Sequence, residues 1–168
     1  MSTKSDEYER FIAALIKNIK ATHREIEFLC SGAKCRLVGG LGQKHQIDVA
    51  FIDRTFIPPK LVLIECKLKK PKYHVGPEVM KILFFNGFDI RGSREYPGDC
   101  LLIICSTSEF TYGAQRLAKG LGIILERVSL STDYTFRYAN IVSAGLGDVT
   151  GFADDPSCTV RHVDGTED

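Results

Sequence analysis

No stretch of the 168-residue sequence approaches the roughly 18 consecutive apolar residues that a membrane-spanning helix needs. No two of the six cysteines, Cys30, Cys35, Cys66, Cys100, Cys105 and Cys158, stand at CxxC spacing. The expectation is reduced thiols; Cys30 and Cys35 could start a zinc site, but no second pair completes it. Gly39, Gly40 and Gly42 lack the Walker GxxxxGK[ST] pattern and lead into a strand, which sets aside a nucleotide-binding loop. There is no internal repeat and no long low-complexity segment. The first ten residues are polar and charged, unlike a secretory signal, so a cytoplasmic location is expected.

What the chain does have is the material of one folded domain. Hydrophobic residues make up 44% and charged residues 26%, as in globular proteins. The net charge of +1 hides an asymmetry. Residues 1–72 carry 14 Lys or Arg against 8 Asp or Glu; residues 73–168 carry 8 against 13. The basic half holds Lys60, Lys67, Lys69, Lys70 and Lys72 close together. Such a face can hold phosphates, or can simply be solvated.

Phe11, Ile12, Leu15, Ile16 and Ile19 recur at helical spacing and predict a helix over 6–20, with Ser5 as its N-cap. Strands are expected at 25–30 and 34–38, joined across Ser31-Gly32, and at 47–52 and 61–68. The continuously apolar Leu61-Val62-Leu63-Ile64 reads as a strand buried on both faces. Gly76-Pro77 opens a second helix. A strand at 101–105, a helix at 111–119, and strands at 123–128 and 134–142 follow. Residues 144–168 are glycine-containing and acidic and are expected to form a tail, leaving 5–143 as the domain. The order predicts an α/β (mixed α+β) fold, three-layered, with a central mixed sheet flanked by helices. The short connection between the Asp48 and Glu65 strands predicts an antiparallel hairpin.

The chemistry concentrates in Asp48 and in Glu65-Cys66-Lys67. Charged residues at the end of an apolar strand need partners, because burying an unpaired charge is costly. Glu65 and Lys67 are two apart and share one face of their strand, while Cys66 points to the other. If Asp48 joins them, two carboxylates and an ammonium converge. Carboxylate oxygens suit Mg²⁺ or Mn²⁺, and such a cation activates water against a phosphodiester. The alternative is a structural ion cluster.

Asp48 with Glu65-Cys66-Lys67 resembles the bipartite PD-(D/E)xK motif of the restriction-endonuclease-like nucleases. The stretch from Gly39 to Val49 is similar to the glycine-containing approach to the metal-binding Asp in Mrr-like restriction endonucleases. Ser106-Thr107-Ser108-Glu109-Phe110-Thr111 resembles the segment that closes the same domain. The family's usual Gly-Asp-x-Gly approach is altered here, with Lys44 to Gln46 in that region. The resemblance implies a restriction-endonuclease-like fold and a Mg²⁺-dependent endodeoxyribonuclease. Asp48, Glu65 and the Cys66 backbone carbonyl would be metal ligands and Lys67 the catalytic lysine. Glu9, after Tyr8 on the first helix, would hold a metal-bound water or a second ion, with Glu7 as fallback. Lys44, His45, Lys69, Lys70 and Lys72 are candidate contacts to nucleic acid; for His45 a structural hydrogen bond is the alternative. DNA is the implied partner, in restriction or antiviral defence, with a homodimer or defence-system subunits as further partners. Junction resolution, DNA repair and a non-catalytic binding or assembly module are the rival readings.

Overall fold

The computed structural model describes residues 4–22, 25–70 and 72–128. A first helix, α1 (Lys4–Thr22), precedes strand β1 (Ile26–Ser31), a 3-10 turn (Gly32–Lys34), and strands β2 (Arg36–Val38), β3 (Lys44–Gln46), β4 (Val49–Asp53) and β5 (Lys60–Lys67). Helix α2 (Pro77–Arg91), strand β6 (Cys100–Ser106), helix α3 (Tyr112–Leu121) and strand β7 (Ile123–Arg127) complete the described fold. The strand expected at 134–142, the tail at 144–168 and Cys158 lie outside the described residues.

The main sheet has five strands in the order β1-β4-β5-β6-β7. β1, β4 and β5 are antiparallel neighbours, as the short β4–β5 connection requires; β5, β6 and β7 are parallel. Each parallel step carries a helix, α2 and then α3, because parallel neighbours need a crossover.

Alternation along the strands divides the core in two. Tyr8, Ile12, Ala13 and Ile16 of α1 pack with Val49, Phe51, Val62, Ile64 and Cys66. On the opposite face, Met80, Leu83 and Ile90 of α2 and Ala114 and Ala118 of α3 pack with Ala50, Ile52, Leu61 and Leu63. β5 is therefore covered on both sides, which explains its unbroken apolar run. The three-layer mixed α/β expectation is met.

Helix ends follow local chemistry. Pro77 occupies the first turn of α2, where its missing N–H costs nothing. The Thr111 hydroxyl accepts the Ala114 N–H at 3.2 Å and caps α3, and Gly122 closes that helix in the left-handed region at φ 67°. Ser5 lies within the first turn of α1 rather than capping it, and Asp6 and Glu7 stand near that positive end.

Three sequence expectations are corrected. The strand expected at 34–38 begins at Arg36, because the 3-10 turn takes up Gly32–Lys34; it pairs with β3 in a separate two-stranded sheet, while β1 pairs with β4. Strand 47–52 starts at Val49, leaving Asp48 just ahead of it. Cys30 and Cys35 are not reduced thiols; the same turn brings their Cα atoms to 5.0 Å and they form a disulfide, so they offer no thiolate pair to zinc. Among the described residues Cys66, Cys100 and Cys105 are free.

The glycine cluster is the tip of the β2–β3 hairpin, docked on the end of α2. The Gly40 N–H donates to the Asp89 carbonyl at 2.8 Å and the Leu41 N–H to the Asp89 carboxylate at 2.9 Å. A Cβ at Gly39 would overlap the Asp89 carboxylate. That carboxylate is held by Leu41 and by His45, so it cannot swing away without giving up both. Gly39→Ala is expected to cost about 1–3 kcal/mol, as overpacking of a well-packed site does. Denaturant unfolding of the two proteins checks this, with Gly98→Ala, which meets nothing within 4 Å, as the near-neutral control.

Candidate active site

β5 outruns its neighbour. The β4–β5 pairing ends at Val49 opposite Ile64, while Glu65, Cys66 and Lys67 remain paired with Ile104, Cys105 and Ser106 of β6. One edge of Glu65-Cys66-Lys67 is thus open on the β4 side. The Asp48 side chain fills the gap: its Oδ2 accepts the Cys66 N–H at 2.7 Å. Its own carbonyl accepts the Gly32 N–H at 2.7 Å. Asp48 is anchored by main chain and side chain together, and is only 8% exposed.

This bond also locates the Cys66 carbonyl. In a strand, the N–H and C=O of one residue point to the same edge and those of the next residue to the other. The Lys67 carbonyl faces β6, where it accepts the Thr107 N–H at 3.2 Å. The Cys66 carbonyl therefore lies along the edge that its N–H shares with Asp48. The Cys66 thiol belongs to the core on the α1 side, and burial pushes its pKa well up.

Glu65 and Lys67 project from the face opposite Cys66. Lys67 Nζ donates to Glu65 Oε1 at 2.5 Å, with 30% and 18% of the two side chains exposed. Burial pulls the Lys67 ammonium down, but the Glu65 charge and hydrogen bond, with Asp48, outweigh it and hold it above the usual lysine range. Burial pushes the Asp48 carboxyl up to about 7; the Glu65 and Glu9 charges add to this, and the Cys66 N–H and Lys67 oppose it. The Glu9 carboxyl is raised by burial, by Asp6 and by Glu65, against Lys67. Glu9 therefore lies within the field of the cluster. Glu7 is exposed and is not among the charges that act on it.

Among the described residues no three or more His, Cys, Asp or Glu side chains stand together where they could hold a metal ion, so Asp48, Glu65 and Glu9 do not form such a group. The donor set present is open: two carboxylates and a strand-edge carbonyl. That fits Mg²⁺, which favours one or two carboxylates and completes its shell with water and phosphate oxygens. A carboxylate that accepts one N–H keeps lone pairs for a cation, and a buried carboxyl pushed up by burial and by a neighbouring charge, as Asp48 is by Glu65, is the situation a divalent cation relieves.

No family model and no curated protein sequence matches the chain. Three solved structures resemble it. A protein of unknown function, AF1548, superimposes with a TM-score of 0.54 at 18% identity, over 74% of this chain and 58% of that one. The MspJI restriction endonuclease in complex with a 27-mer oligonucleotide gives 0.46 at 16% identity, over 71% of this chain and 25% of that one. Apo EndoMS gives 0.46 at 19% identity, over 74% and 47%. The likeness to AF1548 is one of fold. The chain spans a quarter to somewhat over half of the length of these three proteins.

The remaining sequence candidates are scattered. His45 is clasped to α2: its Nε2 donates to Asp89 Oδ2 at 2.6 Å and its Nδ1 lies 3.1 Å from the Asn86 side-chain oxygen. Both ring nitrogens are engaged, which is the structural alternative rather than an open phosphate contact. Lys44 is exposed on β3, in a sheet separate from the one that carries Lys67. Lys69, Lys70 and Lys72 are exposed just beyond β5, Lys72 with its ammonium 5.0 Å from the Tyr73 ring centre. Sequence reasoning did not assign a role to Gly32, whose N–H holds Asp48, or to Thr107, which meets the chain after Lys67. Neither contact has a periodic signal; Thr107 stood out only as part of the 106–111 segment.

Proposed function

We propose that this protein is a metal-dependent DNA endonuclease of the PD-(D/E)xK type, a phosphodiester hydrolase with an Mrr-like arrangement. The observation that carries the reading is the Asp48 carboxylate bonded to the N–H between Glu65 and Lys67. It assembles two carboxylates, a carbonyl and an ammonium at one strand end. Asp48, Glu65 and the Cys66 carbonyl would hold Mg²⁺, with Mn²⁺ as a substitute. When bound, such a cation neutralises charge on the phosphate and lowers the pKa of a bound water. Lys67, held protonated by Glu65, donates hydrogen bonds to phosphate oxygen rather than accepting a proton. Glu9 accepts a hydrogen bond from water beside the cluster and helps orient it.

DNA as substrate is supported by the basic first half of the chain and by the exposed Lys69, Lys70 and Lys72 beside the site. Two copies are the simplest way for a single-site subunit to cut both strands. Restriction or defence, in the cytoplasm and with other defence subunits, is the setting that the sequence resemblance favours. Junction resolution and repair are the rival settings.

The test is cleavage of linear, base-modified and branched DNA by the full chain with Mg²⁺, Mn²⁺ or EDTA. Metal-dependent cutting is expected, and the preferred substrate separates the settings. No cutting of any substrate, with no Mg²⁺ uptake by calorimetry, would establish the binding-module alternative. Changing Lys69 and Lys70 to Ala is expected to weaken DNA binding at every sequence. It should lower the slope of log K against log salt by about 1 for each phosphate no longer neutralised. Fluorescence anisotropy across a salt series checks this; an unchanged slope would mean solvated lysines.

A further inference from the structure

We infer that Thr107 is a positioning residue for Lys67, holding the chain just past the end of β5, where the sheet no longer does so. This rests on the endonuclease reading of the site. The regular β5–β6 ladder stops at Lys67 opposite Ser106. One residue further, Thr107 continues it by other means. Its N–H donates to the Lys67 carbonyl at 3.2 Å. Its hydroxyl accepts the Lys69 N–H and donates to the Lys69 carbonyl, both at 2.9 Å. A hydroxyl can accept and donate at once, so this one side chain replaces both backbone partners of Lys69.

The contact spans the link between β5 and the exposed lysines. Upstream, Glu65 to Lys67 have no strand on their β4 side and depend on Asp48 there. Downstream, the chain is next gripped where the Ser108 hydroxyl donates to the Tyr73 carbonyl at 2.7 Å and the Val75 N–H to the Glu109 carbonyl at 2.9 Å. Without the Thr107 hydroxyl, no other hydrogen bond among the described residues fixes the Lys69 backbone, and the chain leaving β5 would lose its anchor two residues after the last ladder pair, Lys67 opposite Ser106. A long amine aimed at a phosphate is sensitive to such loosening, since a displacement of about 1 Å can cost on the order of 100-fold in rate.

The geometry separates positioning from stability. The Lys69 segment is exposed, so water can replace the missing bonds and the fold should survive. Thr107→Val keeps the shape and the backbone bond to Lys67 and removes the two hydroxyl bonds to Lys69; Thr107→Ser keeps the hydroxyl. In the full chain with Mg²⁺, Thr107→Val is expected to lower kcat by about tenfold or more with KM for DNA changed less than about threefold, the signature of an interaction that matters to the reacting arrangement. Thr107→Ser should stay close to wild type, and the Lys69 amide should exchange faster with solvent in Thr107→Val alone.

Equal kcat in wild type and Thr107→Val, with wild type active, would overturn this inference and leave the nuclease reading standing. An inactive wild type would overturn both. If Thr107→Val fails to fold, Thr107→Ser and Thr107→Ala decide: an active Ser variant beside a folded, slow Ala variant supports positioning, and equal activity in the two refutes it.

Discussion

Asp48→Asn and Lys67→Ala are each expected to abolish DNA cleavage while leaving the protein folded. Asparagine is the informative change at position 48. Its amide oxygen can still accept the Cys66 N–H that Asp48 Oδ2 accepts at 2.7 Å, so the open edge of β5 stays capped. What disappears is the charge that would hold a divalent cation. Asp48→Ala would instead strand a buried N–H, which costs about 1–3 kcal/mol by itself and blurs the result. Lys67→Ala removes the partner of a partly buried Glu65, a loss between the about 1 kcal/mol or less of an exposed pair and the about 3–5 kcal/mol of a buried one. Its effect on cleavage is separate from that loss. Removing one preorganised donor to a developing charge costs about 10²–10³ in rate, and removing a ligand carboxylate should cost at least as much. Cleavage of a supercoiled plasmid with Mg²⁺, alongside circular dichroism, measures both. Either variant cutting at the wild-type rate would remove that residue from the chemistry.

The sheet was legible where burial imposes a period. Leu61 to Ile64 read correctly as a doubly covered strand, and the Glu65/Lys67 spacing showed that these two share a face. The short β4–β5 connection made the hairpin readable. What depended on distant partners was not readable. β3 is Lys-His-Gln, with no apolar alternation, and is a strand because β2 pairs with it. The β1–β4 pairing joins residues about twenty positions apart through an irregular register at Phe28 and Cys30. The disulfide arises from the 3-10 turn, not from a motif. His45 was ambiguous in sequence because its partners, Asn86 and Asp89, lie more than forty residues away. At the candidate site the residue types were legible, but the means of assembly were not. No pattern says that a carboxylate one residue ahead of a strand takes the place of a ladder partner for Cys66.

That placement sets the second large effect, on stability against pH. The Asp48 carboxyl is raised from 3.8 to about 7, first by burial and then by Glu65. A raised acid means that the folded state keeps a proton which the unfolded chain releases. The stabilisation is complete below about pH 4 and is lost as pH rises through about 7. Moving that carboxyl from 3.8 to about 7 corresponds to roughly 4 kcal/mol at most across that window. Glu9, also raised, contributes in the same direction, so the quantity to measure is the difference between proteins. With EDTA present, urea unfolding from about pH 4.5 to 8 should show wild type losing stability relative to Asp48→Asn as pH rises. Parallel curves would mean that Asp48 ionises as it does in the unfolded chain. Mg²⁺ reverses the argument, because the cation and the proton compete for one carboxylate. Apparent Mg²⁺ affinity should fall as pH drops below about 7, by up to about tenfold per unit, and cleavage should fall with it. Wild-type Mg²⁺ affinity that is flat between about pH 5 and 7 would place the cation somewhere other than on Asp48.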